Sequence, residues 1–448
     1  MDKLNKNFLD SIDGKNLNFL IGAGASSSSL KTISCNDENG SKNKPSIEDL
    51  FNKYENDDIA AAFLKFIFFS RSVKNGLITT YTIQDEDAKE TLKNYEFFIK
   101  NIITLLNNTG FERPKRANIF TTNYDTFFEL AFDQIAHTHP LAYFNDGSRG
   151  FFTREVSYEN YFFNISHSGS MDTYRREIPS INLYKMHGSL SWNKRVIYKD
   201  SDTSLNANKE SGSQNETKDK DDIIISSNTN PVLDCLTKGK NNESFHEKVY
   251  KEIKSFYTNY KSSGSSNGSE ETFNKVTEED LLICLLANLK KTESNPNASS
   301  KNKLRDDLLE FKKLYDKLLI VNPTKKKFKE TVFEEQYYQL FRAFEEELQK
   351  PNSVLIVFGF SFKDKHINDI LKRCLTNPTL QVFVVPYNKN DEQNVKEKFT
   401  GYGNISFLKE ESESKNKDLG NENIEYKLGN FDVLNNFLSG KNDINENN

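Results

Sequence analysis

Cysteine is scarce in this chain of 448 residues: Cys35, Cys235, Cys284 and Cys374 lie far apart, and no two form a CxxC pair. That spacing excludes a zinc ribbon and supports no disulfide framework, so free thiols in a reducing compartment are expected. Long hydrophobic runs are missing too. The longest, such as 59–69, are too short and interrupted to span a bilayer, and residues 1–18 are charged without the apolar stretch of a signal peptide. A cytoplasmic protein with no membrane partner is expected. Nor is there an excess of one charge: Lys+Arg 60 against Asp+Glu 65 gives a formal -5, which lacks the electrostatic footprint of a nucleic-acid binder. No internal repeat is present. The apolar fraction of 36% is low enough to require polar insertions or tails, whereas 35 phenylalanines supply a well-filled core.

What is present is alternation. Residues 18–21 are an apolar run ending in Gly22-Ala23-Gly24-Ala25, the pattern of a buried parallel strand feeding a tight turn. Further strands are expected at 117–121, 182–186, 318–321, 354–360 and 381–385. Helical spacing of apolar residues marks 46–108, and predicts further helices from 126, over 245–260, 278–289, 332–348 and 366–374. Strands alternating with helices predict an α/β fold, a Rossmann-like parallel sheet with helices on both faces, plus helical and polar insertions. The expected organisation is a first core part over 1–200 with a helical insertion at about 46–108, a polar, partly helical insertion over 201–315, a second core part over 316–412, and a polar C-terminal segment over 413–448. That last segment is either the final strand and helix of the core or an interface. Residues 138–180 are rich in aromatics and turn formers and take no assignment.

Strand-end loops of an open parallel sheet gather at its carboxyl edge, where such folds bind ligands. Four loops are candidates. In the first, Gly22, Ala23, Gly24 and Ser26 are cofactor-binding candidates, because glycines let bare backbone amides approach a pyrophosphate and a following helix start favours its charge. The third glycine of the dinucleotide fingerprint is missing, so this turn alone reads equally as an ordinary strand–helix turn. The second loop holds Thr122, Asn123 and Asp125. Asp125 is well placed to cap the helix that follows, whereas a strand's own hydrogen bonding has no use for the Asn123 amide. In the third, His187 sits between a strand and Gly188-Ser189, a place where a ring can project into a cleft, and an imidazole is the side chain suited to moving protons near neutral pH. The fourth holds Gly359, Ser361 and Asp364, and Asn388 follows the next strand. His137 and His139 have no carboxylate or cysteine at ligand spacing, so no metal site is expected. An amide, a carboxylate and an imidazole beside a phosphate-accepting turn suit a nucleotide whose sugar is attacked, not one that delivers a hydride.

Four segments in order, Gly22-Ala23-Gly24-Ala25-Ser26, Thr121-Thr122-Asn123-Tyr124-Asp125, Lys185-Met186-His187-Gly188-Ser189-Leu190 and the stretch 359–368, resemble the sirtuin family, specifically its divergent branch in prokaryotic defence proteins. The resemblance covers roughly 15–200 and 315–410. It implies that NAD is the substrate, without metal, and that Asn123, Asp125 and His187 hydrolyse its nicotinamide N-glycosidic bond to give nicotinamide and ADP-ribose. The implied role is an antiphage effector that depletes NAD. The implied partners are further copies of the chain, a HerA-type ATPase or a phage-derived trigger. Protein-deacylating sirtuins carry a four-cysteine zinc module that this chain lacks, and Ser27-Ser28-Ser29-Leu30 replaces their Gly-Ile-Pro-Asp-Phe-Arg stretch. NAD-dependent deacylation and a non-catalytic nucleotide-binding assembly module are the alternatives.

Overall fold

The computed structural model describes residues 2–30, 47–54, 56–80, 83, 85–110, 113–194, 223–226, 229–238, 244–262, 278–289, 299–322, 335–410 and 429–440. Seven strands form one parallel sheet: β1 (Asn16–Ile21), β2 (Arg116–Thr121), β3 (Tyr143–Asn145), β8 (Ser180–Lys185), β11 (Ser353–Phe358), β12 (Gln381–Val385) and β13 (Ile405–Phe407), in the order β13-β12-β11-β1-β2-β8-β3. Beside it, β4 (Ser148–Arg149), β5 (Arg154–Val156), β9 (Trp192–Lys194) and β10 (Ile223–Ile225) make a four-stranded antiparallel sheet, and β6 (Ser166–His167) pairs with β7 (Arg176–Glu177). The Rossmann-like α/β expectation holds.

The central strands are apolar in succession because both faces are covered. Leu17, Phe19 and Ile21 of β1, with Val354, Ile356 and Phe358 of β11, pack against the helices Glu86–Asn108, Phe127–Ala136 and Phe431–Ser439. Leu20, Phe120, Tyr184, Leu355 and Val357 pack on the opposite side against the helices Glu335–Gln349 and Lys365–Cys374. The segment 413–448 thus contributes a core helix through Phe431–Ser439, whereas 424–426 lie outside the described residues.

One layer of that second face is polar. Asn18, Asn118, Asn182 and Asn145 are register partners on β1, β2, β8 and β3, and all four are buried. Asn145 Nδ2 donates to Asn182 Oδ1 at 3.0 Å, Asn182 Nδ2 to Asn118 Oδ1 at 3.0 Å, and Asn118 Nδ2 to Asn18 Oδ1 at 2.9 Å. Asn18 Nδ2 closes the run on Val354 O at 3.3 Å, and Gly147 N donates to Asn145 Oδ1 at 3.1 Å. Strands about 4.8 Å apart bring identical amides to the spacing at which each bridges to the next.

A third apolar cluster lies off the sheet. The helices Ile47–Lys53 and Asp58–Phe68 pack with Pro231–Thr237, Phe245–Ser262, Glu278–Leu289 and Ser299–Tyr315 around Phe63, Phe66, Phe69, Leu282 and Phe311. Asp57 starts its helix by accepting from Ile59 N and Ala60 N at 3.1 and 3.0 Å. Helices from the stretches 46–108 and 201–315, separate in the sequence reading, therefore share one core, while Glu86–Asn108 lies on the sheet. The polar tracts at 201–222 and 263–271 lie outside the described residues. Among the described residues no helix is long and apolar enough to cross a membrane.

Candidate functional site

The chain runs from β1 outward to β2 on one side and later returns to β11 on the other, so the strand order reverses between β1 and β11. At such a reversal the carboxyl ends of an open sheet leave a crevice. The turn after β1 and the loop after β11 meet there, backbone to backbone. A Cβ on Gly22 would lie 2.5 Å from Gly359 O, and one on Gly24 2.7 Å from Gly359 Cα. Gly22 N donates to Phe358 O at 3.0 Å and Gly24 N to Gly359 O at 2.8 Å. The amides expected to be bare at Gly22 and Gly24 are therefore used inside the fold, and the glycines serve close approach between the two loops. The turn runs into a single 3-10 turn, Ala23–Ser26, in place of the expected helix start, with Ala23 and Gly24 exposed.

Ser26 carries that turn into a buried polar network. Its Oγ donates to Asp125 Oδ2 at 3.0 Å and therefore accepts from the Tyr95 phenol at 2.8 Å. Asn123 Nδ2 makes longer contacts to Ser26 Oγ, at 3.4 Å, and Tyr95 Oη, at 3.5 Å. Asn123 Oδ1 is buried and has no hydrogen-bond partner among the described residues. Asp125 also accepts from Phe127 N at 3.3 Å, but it stands one residue before the cap position, which Thr126 occupies without a side-chain cap bond. Burial raises the Asp125 carboxyl above its usual range, against the opposing pull of Lys185 and Ser26. Burial, and then the Asp125 charge, pushes Tyr95 well above the ordinary phenol range. Beneath them Lys185, nearly inaccessible, donates to the Asp125 carbonyl and pairs with Glu129 Oε1 at 3.2 Å.

His187 follows β8, which pairs with β2 so that Lys185 stands opposite Thr121. The two strand-end loops are tied by Leu190 N donating to Tyr124 O at 3.0 Å. Residues 318–321, expected as a strand, instead brace the His187 loop: Val321 N donates to His187 O at 2.9 Å, Ser189 N to Leu319 O at 3.2 Å, and Ile320 forms one antiparallel bridge to Gly188. Gly188, at φ +82°, leaves room for this brace, since a Cβ would lie 2.0 Å from Leu319 O. Tyr124 Oη donates to Val321 O at 2.8 Å and joins the brace to the second loop.

The loop after β11 reaches across to His187. It bends through Gly359 and Phe362, both left-handed at φ +64° and +53°. For a bulky residue such a conformation is strained. Here burial of the Phe362 ring and donation from Asn368 Nδ2 to its carbonyl at 2.7 Å offset the strain. The bend delivers Asp364 and His366, which with His187 place one ligand-capable atom each within 4.8 Å of the others. The sequence reading expected no metal-ligating set, and this group is of the kind that can hold one. Ser361 is exposed near the bend. Asn388 is exposed and accepts from Asp391 N at 3.0 Å as a helix cap. Thr122 N donates to Ile21 O at 3.2 Å and links β1 to β2.

The four expected loops thus converge on one edge. Tyr95, Lys185 and His366 join them unforeseen. Lys185 and His366 stand within the motifs already marked, whereas Tyr95 sits mid-helix with nothing in its spacing to distinguish it from core.

No curated protein matches the chain. Residues 117–229, which include Asn123, Asp125 and His187, match the SIR2-like domain family, and this match supports a sirtuin-like family whose domains use NAD.

Proposed function

We propose that the chain cleaves NAD at the nicotinamide N-glycosidic bond, yielding nicotinamide and ADP-ribose. The observation that carries this reading is Asn123, a buried carboxamide at a strand end whose Oδ1 meets no partner among the described residues. Leaving a buried carbonyl unsatisfied costs about 1–3 kcal/mol, a cost that a ribose hydroxyl or an attacking water would remove on binding. Nicotinamide leaves a cationic glycoside as a neutral molecule, so its departure needs no protonation and the carboxylate pair of a glycosidase is unnecessary. What remains is to orient the ribose and a water beside an oxocarbenium-like centre. Asn123 is the group for orientation, and His187 accepts the proton from water or a ribose hydroxyl. The Asp125 carboxylate, already held by Ser26 and Phe127 N, acts as a positioning residue for Ser26 and Asn123. Ala23 and Gly24, exposed at the reversal of strand order, lie where the pyrophosphate would rest.

Such an activity is toxic when unrestrained, which fits an antiphage effector held inactive by oligomerisation or by a partner. A HerA-type ATPase and a phage-derived trigger are the partners that the resemblance brings with it.

The test is mass spectrometry of NAD incubated with the purified chain, with and without an acetylated peptide. Nicotinamide and ADP-ribose without peptide are expected, reduced by roughly 10²- to 10⁴-fold in His187→Ala. O-acetyl-ADP-ribose that appears only with peptide would assign deacylation, and tight NAD binding without turnover would assign an assembly module.

A further inference from the structure

His187 comes from the loop after β8, while Asp364 and His366 come from the loop after β11, and the three meet with their ligand-capable atoms within 4.8 Å of one another. The two imidazole centroids are 5.7 Å apart with the rings tilted by 36°. Metal–nitrogen bonds of about 2.1 Å put two imidazole centroids on one ion about 5–6 Å apart, so this separation already matches a shared ion. Phe341 borders both rings, edge-on to His366 at 4.9 Å and 6.2 Å from His187, and limits their rotation.

The carboxylate completes the set. Asp364 occupies the N-cap position of the helix Lys365–Cys374, yet its side chain makes no capping bond. At the same position of their own helices Asp57, Asn230, Asn388 and Asn430 accept a backbone N–H, whereas Asp85, like Asp364, does not. The Asp364 carboxylate lies instead with the imidazoles. Two imidazole nitrogens and one carboxylate oxygen suit a borderline-soft divalent cation, with a further position left for water.

We propose that His187, Asp364 and His366 bind one divalent transition-metal ion of the zinc type, and that the ion acts as an off-switch. The bound ion takes the nitrogen lone pair with which His187 accepts a proton. This second half rests on the proposed NAD cleavage; the binding itself does not.

The chelator-stripped chain, titrated calorimetrically with ZnCl2 in the absence of NAD, is expected to bind one ion per chain. In His366→Ala and His366→Gln the affinity is expected to fall by at least about 10- to 100-fold, with melting curves run alongside to confirm folding. Absence of saturable binding, or equal affinity in folded variants, overturns the site. In a second arm, NAD cleavage is followed against rising ZnCl2. Inhibition that tracks occupancy in the wild type, and needs about 10- to 100-fold more zinc in His366→Gln, supports the switch. Saturation with zinc without loss of cleavage overturns it. If the metal-free protein does not cleave NAD, the activity falls and the switch with it, while the calorimetric result stands on its own.

Discussion

Asn118 lies within β2 and Asn123 just beyond its end, and the two amides obey opposite rules. Asn118 is buried in mid-sheet with its oxygen and nitrogen both satisfied by register partners, Asn182 and Asn18. Asn123 is equally buried, but its nitrogen makes only long contacts and its oxygen meets none among the described residues. The fold has solved the first amide completely and left the second for something else. Buried polarity alone therefore does not mark a site in this protein; the proposed site rests on incomplete pairing at a strand end.

The largest effect is expected where pairing is incomplete. Asn123→Ala should lower NAD cleavage by roughly 10²- to 10³-fold while leaving the urea midpoint unchanged or higher, because the unsatisfied carbonyl leaves with the side chain. A fall in stability to match the fall in activity would erase the contrast. Asn118→Ala should do the reverse. It strands Asn18 Oδ1 and one of the two N–H groups of Asn182 Nδ2, so urea unfolding should report a loss of about 2–4 kcal/mol, with kcat unaltered wherever the variant is folded. An unchanged midpoint would show that the asparagine ladder carries little of the stability.

A smaller effect tests a buried group in the helical body. His246 stacks on Phe66 at 4.9 Å and its Nε2 meets Ser70 Oγ at 2.7 Å. Burial, then the Lys74 charge, lowers its pKa from 6.5 to about 4. A folded-state value below the unfolded one means that stability is full above about pH 6.5 and is lost as pH falls towards 4. Allowing for solvent screening, the loss should be about 1–2 kcal/mol across that window, flattened in His246→Gln, as read from denaturant midpoints against pH. The smallest effect belongs to Asn388. Replacing this exposed cap by Ala should cost about 1 kcal/mol and replacing it by Asp almost nothing, measured by thermal melts. A raised KM for NAD in the Asp variant would instead return Asn388 to the site.

The strands β1, β11 and β12 are legible in the sequence because a parallel strand covered on both faces reads as an unbroken apolar run. The helix Glu335–Gln349 is legible for the matching reason, an apolar stripe at helical spacing. Residues 318–321 mislead because their burial comes from packing on the His187 loop, not from a ladder, and hydropathy does not distinguish the two. The short strands between 143 and 177 are only two or three residues long, too few to show a period. The asparagine ladder is invisible for a deeper reason. Asparagine in isolation signals a turn, and only strand register, a property of pairs far apart in sequence, turns four of them into a sheet element. The same distance hides His366, whose meeting with His187 depends on a loop bent through Phe362.

The helix Phe431–Ser439 has a consequence in time. Phe431 packs on the Tyr95 ring with centroids 5.0 Å apart, and Tyr95 in turn bonds Ser26 and reaches Asn123. The back wall of the strand-end site is therefore made only after every strand of the seven-stranded sheet. A nascent chain that has emerged from the ribosome only as far as β13 has every strand of the sheet but leaves Tyr95 uncovered on this side. The order of synthesis itself thus delays completion of the site until Phe431–Ser439 has followed the strands out.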